Sequence, residues 1–166
     1  MKKIVCLSLI VFISSFLFAQ DLSNAEDYTL NFFRKFNKTQ TKLTYMNKKS
    51  SLAKIGTETV NGDISGTVFY DVKFKGTGAD VILRYTNYSD EEGWIFDGEI
   101  ITHANMAQNG TFEGTIKVSG EAPGEISYNK VKLVKGNPGD GVYLILLPGK
   151  EQEEVSYTLY LKSKEN

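Results

Sequence analysis

Between residues 24 and 38 the apolar positions recur every three or four residues, with Ala25, Tyr28, Phe32 and Phe36 on one stripe and Leu30 and Phe33 beside it. Asn31, Arg34 and Lys35 fall on the other side, so the spacing predicts an amphipathic helix. Ser23 followed by Glu26 fits a capping box, with Leu22 at the staple position, and the helical segment is placed at 21–38. After Thr39 the period changes to two. Strands are expected at 41–47, 51–60, 63–75, 79–88, 93–107, 111–119, 124–135, 141–147 and 154–162, separated by stretches rich in Gly, Asn, Asp and Pro.

The alternation gives each strand an apolar and a polar side. Val68, Tyr70, Val72 and Phe74 share a side, as do Trp94, Phe96, Gly98 and Ile100, then Phe112, Gly114, Ile116 and Val118, then Val155, Tyr157, Leu159 and Leu161. Asp71, Lys73, Lys75, Glu113 and Lys117 stand opposite, which predicts a sheet with one dry and one wet face. Short connections make neighbouring strands antiparallel. The expected class is all-β with one N-terminal helix, residues 39–166 forming an up-and-down meander of about 8–9 strands. A single helix of about 22 Å cannot cover so many strands spaced about 4.8 Å apart, so the sheet is expected to curl into a barrel or half-barrel.

Two Asn-Gly pairs suggest registers. A two-residue turn at Asn61-Gly62 would set Val68 opposite Ile55 and Tyr70 opposite Ala53. At Asn109-Gly110 the faces agree only with a three-residue loop and Gly110 as a left-handed bulge, which sets Phe112 opposite Met106, Gly114 opposite Ala104 and Ile116 opposite Thr102.

Residues 1–20 read as a secretory signal peptide: Lys2 and Lys3, an apolar run from Ile4 to Phe18, then Ala19 and Gln20. The run is too short for a spanning helix, so the processed chain is expected not to span a membrane and to be periplasmic or secreted from a bacterium. The single cysteine, Cys6, lies inside that leader, which leaves no disulfide, thiolate metal site or cysteine nucleophile in the remainder. Without Lys2 and Lys3 the 19 basic residues fall to 17 against 20 acidic, a net charge of about −3. No basic stripe interleaved with aromatics occurs, so nucleic acid is not an expected partner.

Candidate chemistry is sparse. His103 is the only histidine, and no serine occurs in a nucleophile-elbow pattern, so histidine-dependent triads have a single candidate base. Asp97 and Glu99 lie two apart on one strand, the spacing that paired-carboxylate chemistry can use, but on the polar face, where solvated charge is ordinary. The acidic stretches Asp90 to Glu92 and Glu151 to Glu154 lack the ligand alternation of a calcium loop. No enzyme, cofactor or metal is expected. The aromatic richness suits either a packed core or a cavity for an apolar guest. Gly66, Gly98 and Gly114 on the dry face suggest either curvature or room beside Trp94, Phe96 and Phe112. A non-enzymatic binder of an apolar small molecule, a lipid or acyl chain, is therefore expected to use Tyr70, Trp94, Phe96, Gly98, Phe112 and Gly114. The alternative is a structural or protein-interaction module whose partner is another protein of the cell envelope, added at a strand edge.

Overall fold

The computed structural model describes residues 24–49, 56–105, 107, 109–134, 137–138 and 141–156, with backbone only for the helix beyond residue 39. The leader expected at 1–20, Ser23, and the ends of the strands expected at 51–60 and 154–162 lie outside the described residues. Helix α1 spans Ala25–Lys49. Its cap is Asn24, whose Oδ1 accepts from the Asp27 N–H at 2.8 Å and whose Nδ2 donates to Asp27 Oδ2 at 2.8 Å. The cap thus sits one residue later than Ser23 and Glu26 suggest, and Asp27 answers it through the Asn24 side-chain amide. Glu26 and Asp27 in the first turn complement the helix dipole.

The helix runs to Lys49 instead of ending at Lys38, and the strand expected at 41–47 is helix. Residues 40–49 contain neither Gly nor Pro, and Phe36, Thr39, Leu43 and Met46 keep the helical spacing in the sequence. Extending an existing helix gains one hydrogen bond per residue fixed, so nothing local stops it at Thr39.

The strands are β1 Gly56–Asn61, β2 Ser65–Lys75, β3 Gly78–Glu91, β4 Trp94–Asn105, β5 Gly110–Gly120, β6 Gly124–Val134, the short β7 Asn137–Pro138, β8 Val142–Leu146 and β9 Glu153–Ser156. They form one antiparallel meander in the order β1-β2-β3-β4-β5-β6-β8-β9, with β7 beside β6. Among the described residues the first and last strands do not pair, so the sheet is open and closure into a barrel is not shown.

Both Asn-Gly registers differ from expectation. Val68 pairs with Val60 and Tyr70 with Glu58, because the loop is centred further on, closed by the Gly62 N–H donating to Gly66 O at 3.0 Å. The Asp63 N–H donates to Asp90 Oδ1 at 3.0 Å and the Ile64 N–H to Ser89 O at 2.9 Å, which ties this loop to the end of β3. At the other hairpin Thr102 pairs with Phe112, Ile100 with Gly114 and Gly98 with Ile116. Asn105 decides it: its Oδ1 accepts from the Ala107 and Asn109 N–H groups, and its own N–H donates to Asn109 O at 2.9 Å. Three residues therefore lie between Asn105 and Asn109, while Gly110 pairs with Ala104 inside the ladder and forms no left-handed bulge.

A bulge interrupts the alternation in β3. Asn87 adopts φ 47°, and its N–H donates to Asp97 Oδ1 at 2.7 Å. The extra residue turns both Tyr85 and Tyr88 onto the dry face, where both are buried. Tyr28, Phe32, Phe33 and Phe36 of α1 pack into the same core as Trp94, Phe96, Ile116, Ile126 and Tyr143.

Candidate functional site

The registers arrange the dry face in rows across the strands. Val60, Val68, Tyr85, Gly98, Ile116, Ile126 and Ile145 form one row, and on its far side Tyr88, Phe96 and Val118 form the next. The helix covers this end: Tyr28 lies 6.4 Å from Trp94, Phe32 6.0 Å from Phe96, and Phe36 5.4 Å from Tyr85 and 5.6 Å from Phe96, as ring centroids. Glu91, at the end of β3, accepts from Lys35 and Lys38 of the helix, and these bonds hold its carboxyl below the usual carboxylate range. The cleft beside this clasp, lined by Lys35, Lys38, Thr39, Asp90, Glu91, Trp94 and Phe96, measures about 10 Å³, the space of about one water molecule. No chain-like guest fits there as the helix now lies.

Along the same strands, beyond the described contacts of Tyr28, Phe32 and Phe36, the next rows read Glu58, Tyr70, Leu83, Ile100 and Gly114, then Val72, Val81, Thr102 and Phe112, then Phe74, Ala79, Ala104 and Gly110. Tyr70, Val72, Ala79, Val81, Leu83, Thr102 and Ala104 in these rows are only partly buried and Phe74 is 53% exposed, whereas Ile100 of β4 is buried. Val68, Tyr70, Val72 and Phe74 share one side as their alternation implies, but of the four only Val68 is buried. On the β5, β6 and β8 side the rows close over: Phe112 contacts Tyr128, Tyr128 contacts Tyr143, and Phe33 of the helix reaches Tyr143 at 5.0 Å. The result is an apolar strip on β2 to β4, walled by buried Phe112 on one side and by the helix-covered rows at one end.

The residues singled out in the sequence therefore separate. Tyr70 and Gly114 share one row at the open end, and Phe112 stands at its wall. Trp94 and Phe96 are buried under the helix. Gly98 and Gly114 have φ of 132° and 144°, and a Cβ at either would strike backbone carbonyl oxygen of the neighbouring strand, Thr115 for Gly98 and Glu99 for Gly114. Their lack of a side chain allows strands to approach in a conformation that L-residues rarely adopt; it does not open room for a guest. Val72 and Phe74 were legible as dry-face residues, but not as part-exposed or exposed ones, and Leu83 packs against the core while staying part-exposed.

The polar candidates are engaged in cross-strand pairs. His103 Nδ1 lies 2.7 Å from Asp80 Oδ1, and Nε2 lies 4.0 Å from Glu113. Asp80 also pairs with Lys75, and Lys75 then His103 hold its carboxyl below its ordinary pKa. Asp97 accepts from the Asn87 N–H, and Glu99 pairs with Arg84. Asp90 accepts from the Tyr88 hydroxyl at 2.6 Å as well as from Asp63. Among the described residues no group of three His, Cys, Asp or Glu side chains is placed to hold a metal ion. No described helix is long and apolar enough to cross a membrane.

No family model, curated protein or solved structure matches the chain.

Proposed function

We propose that this is a non-enzymatic binding protein that holds an apolar chain on the open end of its dry face, the sheet curling as a half-barrel around helix and guest. The observation that carries the reading is the unequal cover of one continuous face: Tyr70, Val72, Phe74, Val81 and Leu83 continue the rows that the helix buries, yet stay part-exposed. Part-exposed apolar side chains next to a completed core cost hydration that a guest would relieve, at about 25 cal/mol per Å² covered. Small residues at Ala79, Ala104 and Gly110 keep the far row low. With the leader at 1–20, this reading places the protein in the periplasm or outside a bacterial cell, where a lipid or acyl chain needs a carrier between water and membrane.

Titration with an uncharged alkyl-chain fluorophore tests it. Saturable micromolar binding is expected for the wild type, with about a tenfold loss in Phe74→Glu and in Val72→Thr at unchanged melting temperature. No binding, or binding indifferent to both changes, would contradict the reading.

A second reading is an envelope interaction module that adds a partner's strand at an edge. It is favoured by the open sheet, whose described strands end at β1 and β9. In that case the amides of β1 gain protection from hydrogen exchange when the partner is present, and alkyl probes do not bind.

A further inference from the structure

We infer, building on the apolar-chain reading above, that the open strip selects an amphiphile with a cationic head group, read by Glu58 and Tyr70. The register sets these two residues directly opposite each other on β1 and β2. Directly opposed side chains in an antiparallel pair lie on the same face with Cβ atoms about 5 Å apart. Tyr70 belongs to the dry face through its row with Leu83, Ile100 and Gly114, so the Glu58 carboxylate stands on the apolar side of the sheet, at the edge of the strip. Glu58 is exposed and has no ion pair among the described residues.

The other charges nearby among the described residues lie on the other face. Lys73 pairs with Asp71 at 3.0 Å and Lys75 with Asp80, both on the wet side of β2 and β3. Among the described residues of the open rows, Glu58 is thus the charged side chain on the dry side, and no ammonium stands there to neutralise a fatty-acid carboxylate. A carboxylate beside a phenol ring is suited to an ammonium, which gains attraction from the charge and from the ring face. The alkyl chain would then run along Val72, Val81 and Phe74, with its head held at the β1 edge.

The test compares two probes of equal chain length, dodecyltrimethylammonium and dodecanoate, both below their micelle concentrations, by calorimetry on the full chain. The wild type is expected to bind the cation about tenfold more tightly than the anion. Glu58→Gln should bring the two affinities together, and Glu58→Lys should reverse their order, with thermal melting confirming that the exposed substitutions leave the fold intact. Equal affinities in the wild type, or a preference that survives Glu58→Gln, would overturn the head-group inference and leave the apolar-chain reading standing. Failure of both probes to bind would overturn the two together.

Discussion

At one end of the dry face Tyr85, Tyr88, Trp94 and Phe96 disappear beneath Tyr28, Phe32 and Phe36; a few residues along the same strands, Tyr70, Val72, Phe74, Val81 and Leu83 remain in partial contact with solvent. Both ends carry the same period-two alternation and the same residue types. What separates them among the described residues is contact with a second element: Tyr28, Phe32 and Phe36 of α1 lie against Trp94, Phe96 and Tyr85 at the first end. Alternation decides which side of a strand is apolar, and tertiary cover decides which apolar side chains become core. Evenly dry strands can therefore contain both a core and an exposed binding surface.

The largest expected contrast between the ends is in stability. Phe32, fully buried against Phe36 and Phe96, should cost about 3–5 kcal/mol when cut to alanine. Phe74→Ala at the open end and Arg34→Ala on the helix's exposed side should each stay within about 0.5 kcal/mol. Denaturant melts of the three variants check this, and similar losses for Phe32 and Phe74 would erase the distinction. Next come Gly98→Ala and Gly114→Ala, each expected to cost about 1–3 kcal/mol through backbone strain and collision with the adjacent strand. If Gly98→Ala proves neutral, that position does hold free space, and the guest's place moves towards the covered end.

A smaller effect of opposite sign is expected at Tyr28. Its ring is buried over Gly124, its hydroxyl has no hydrogen-bond partner, and burial pushes its ionisation well above the ordinary phenol range. Tyr28→Phe should raise stability by about 1 kcal/mol, because it removes an unsatisfied buried group while keeping the ring against Trp94. A loss on chemical denaturation would show that the hydroxyl is bonded in solution. The smallest effect concerns the Glu91 clasp. Glu91 is held below its ordinary pKa by Lys35 and Lys38, so its contribution is present above about pH 4 and lost as pH falls through the lowered folded value. Both lysines are substantially exposed, so solvent screening keeps the gain small. Melting temperatures of the wild type and Glu91→Gln should differ at pH 7 and converge as pH falls through the lowered folded value.

Much of the fold could be read from local pattern. The strand positions from β2 to β6 and β8, the antiparallel meander and the assignment of Trp94, Phe96, Phe112, Ile116 and Val118 to one face all follow from alternation and turn residues, and Phe32 and Phe36 are core as their stripe implies. The misses share a cause. Asn61-Gly62 and Asn109-Gly110 carry ordinary hairpin chemistry, but side chains and strand ends elsewhere, Asp90 and Ser89 in one case and Asn105 in the other, fix the loops at different centres. The helix end was hidden because Thr41 to Asn47 alternates like a strand while also continuing a helical stripe. The candidate site divides in the same manner: Tyr70, Gly114 and Phe112 could be placed on the dry face from the sequence, whereas the rows on which the helix would rest, and hence the burial of Trp94 and Phe96, depend on contacts more than 50 residues apart along the chain.

The most direct test of the open-end account is residue-resolved: an NMR titration of the isotopically labelled chain with an uncharged alkyl-chain ligand. Saturating shifts are expected at Tyr70, Val72, Phe74, Val81 and Leu83, with Trp94, Phe96 and the helix from Tyr28 to Phe36 unmoved. Shifts centred on Trp94, Phe96 and the helix, or none at saturating ligand, would contradict it.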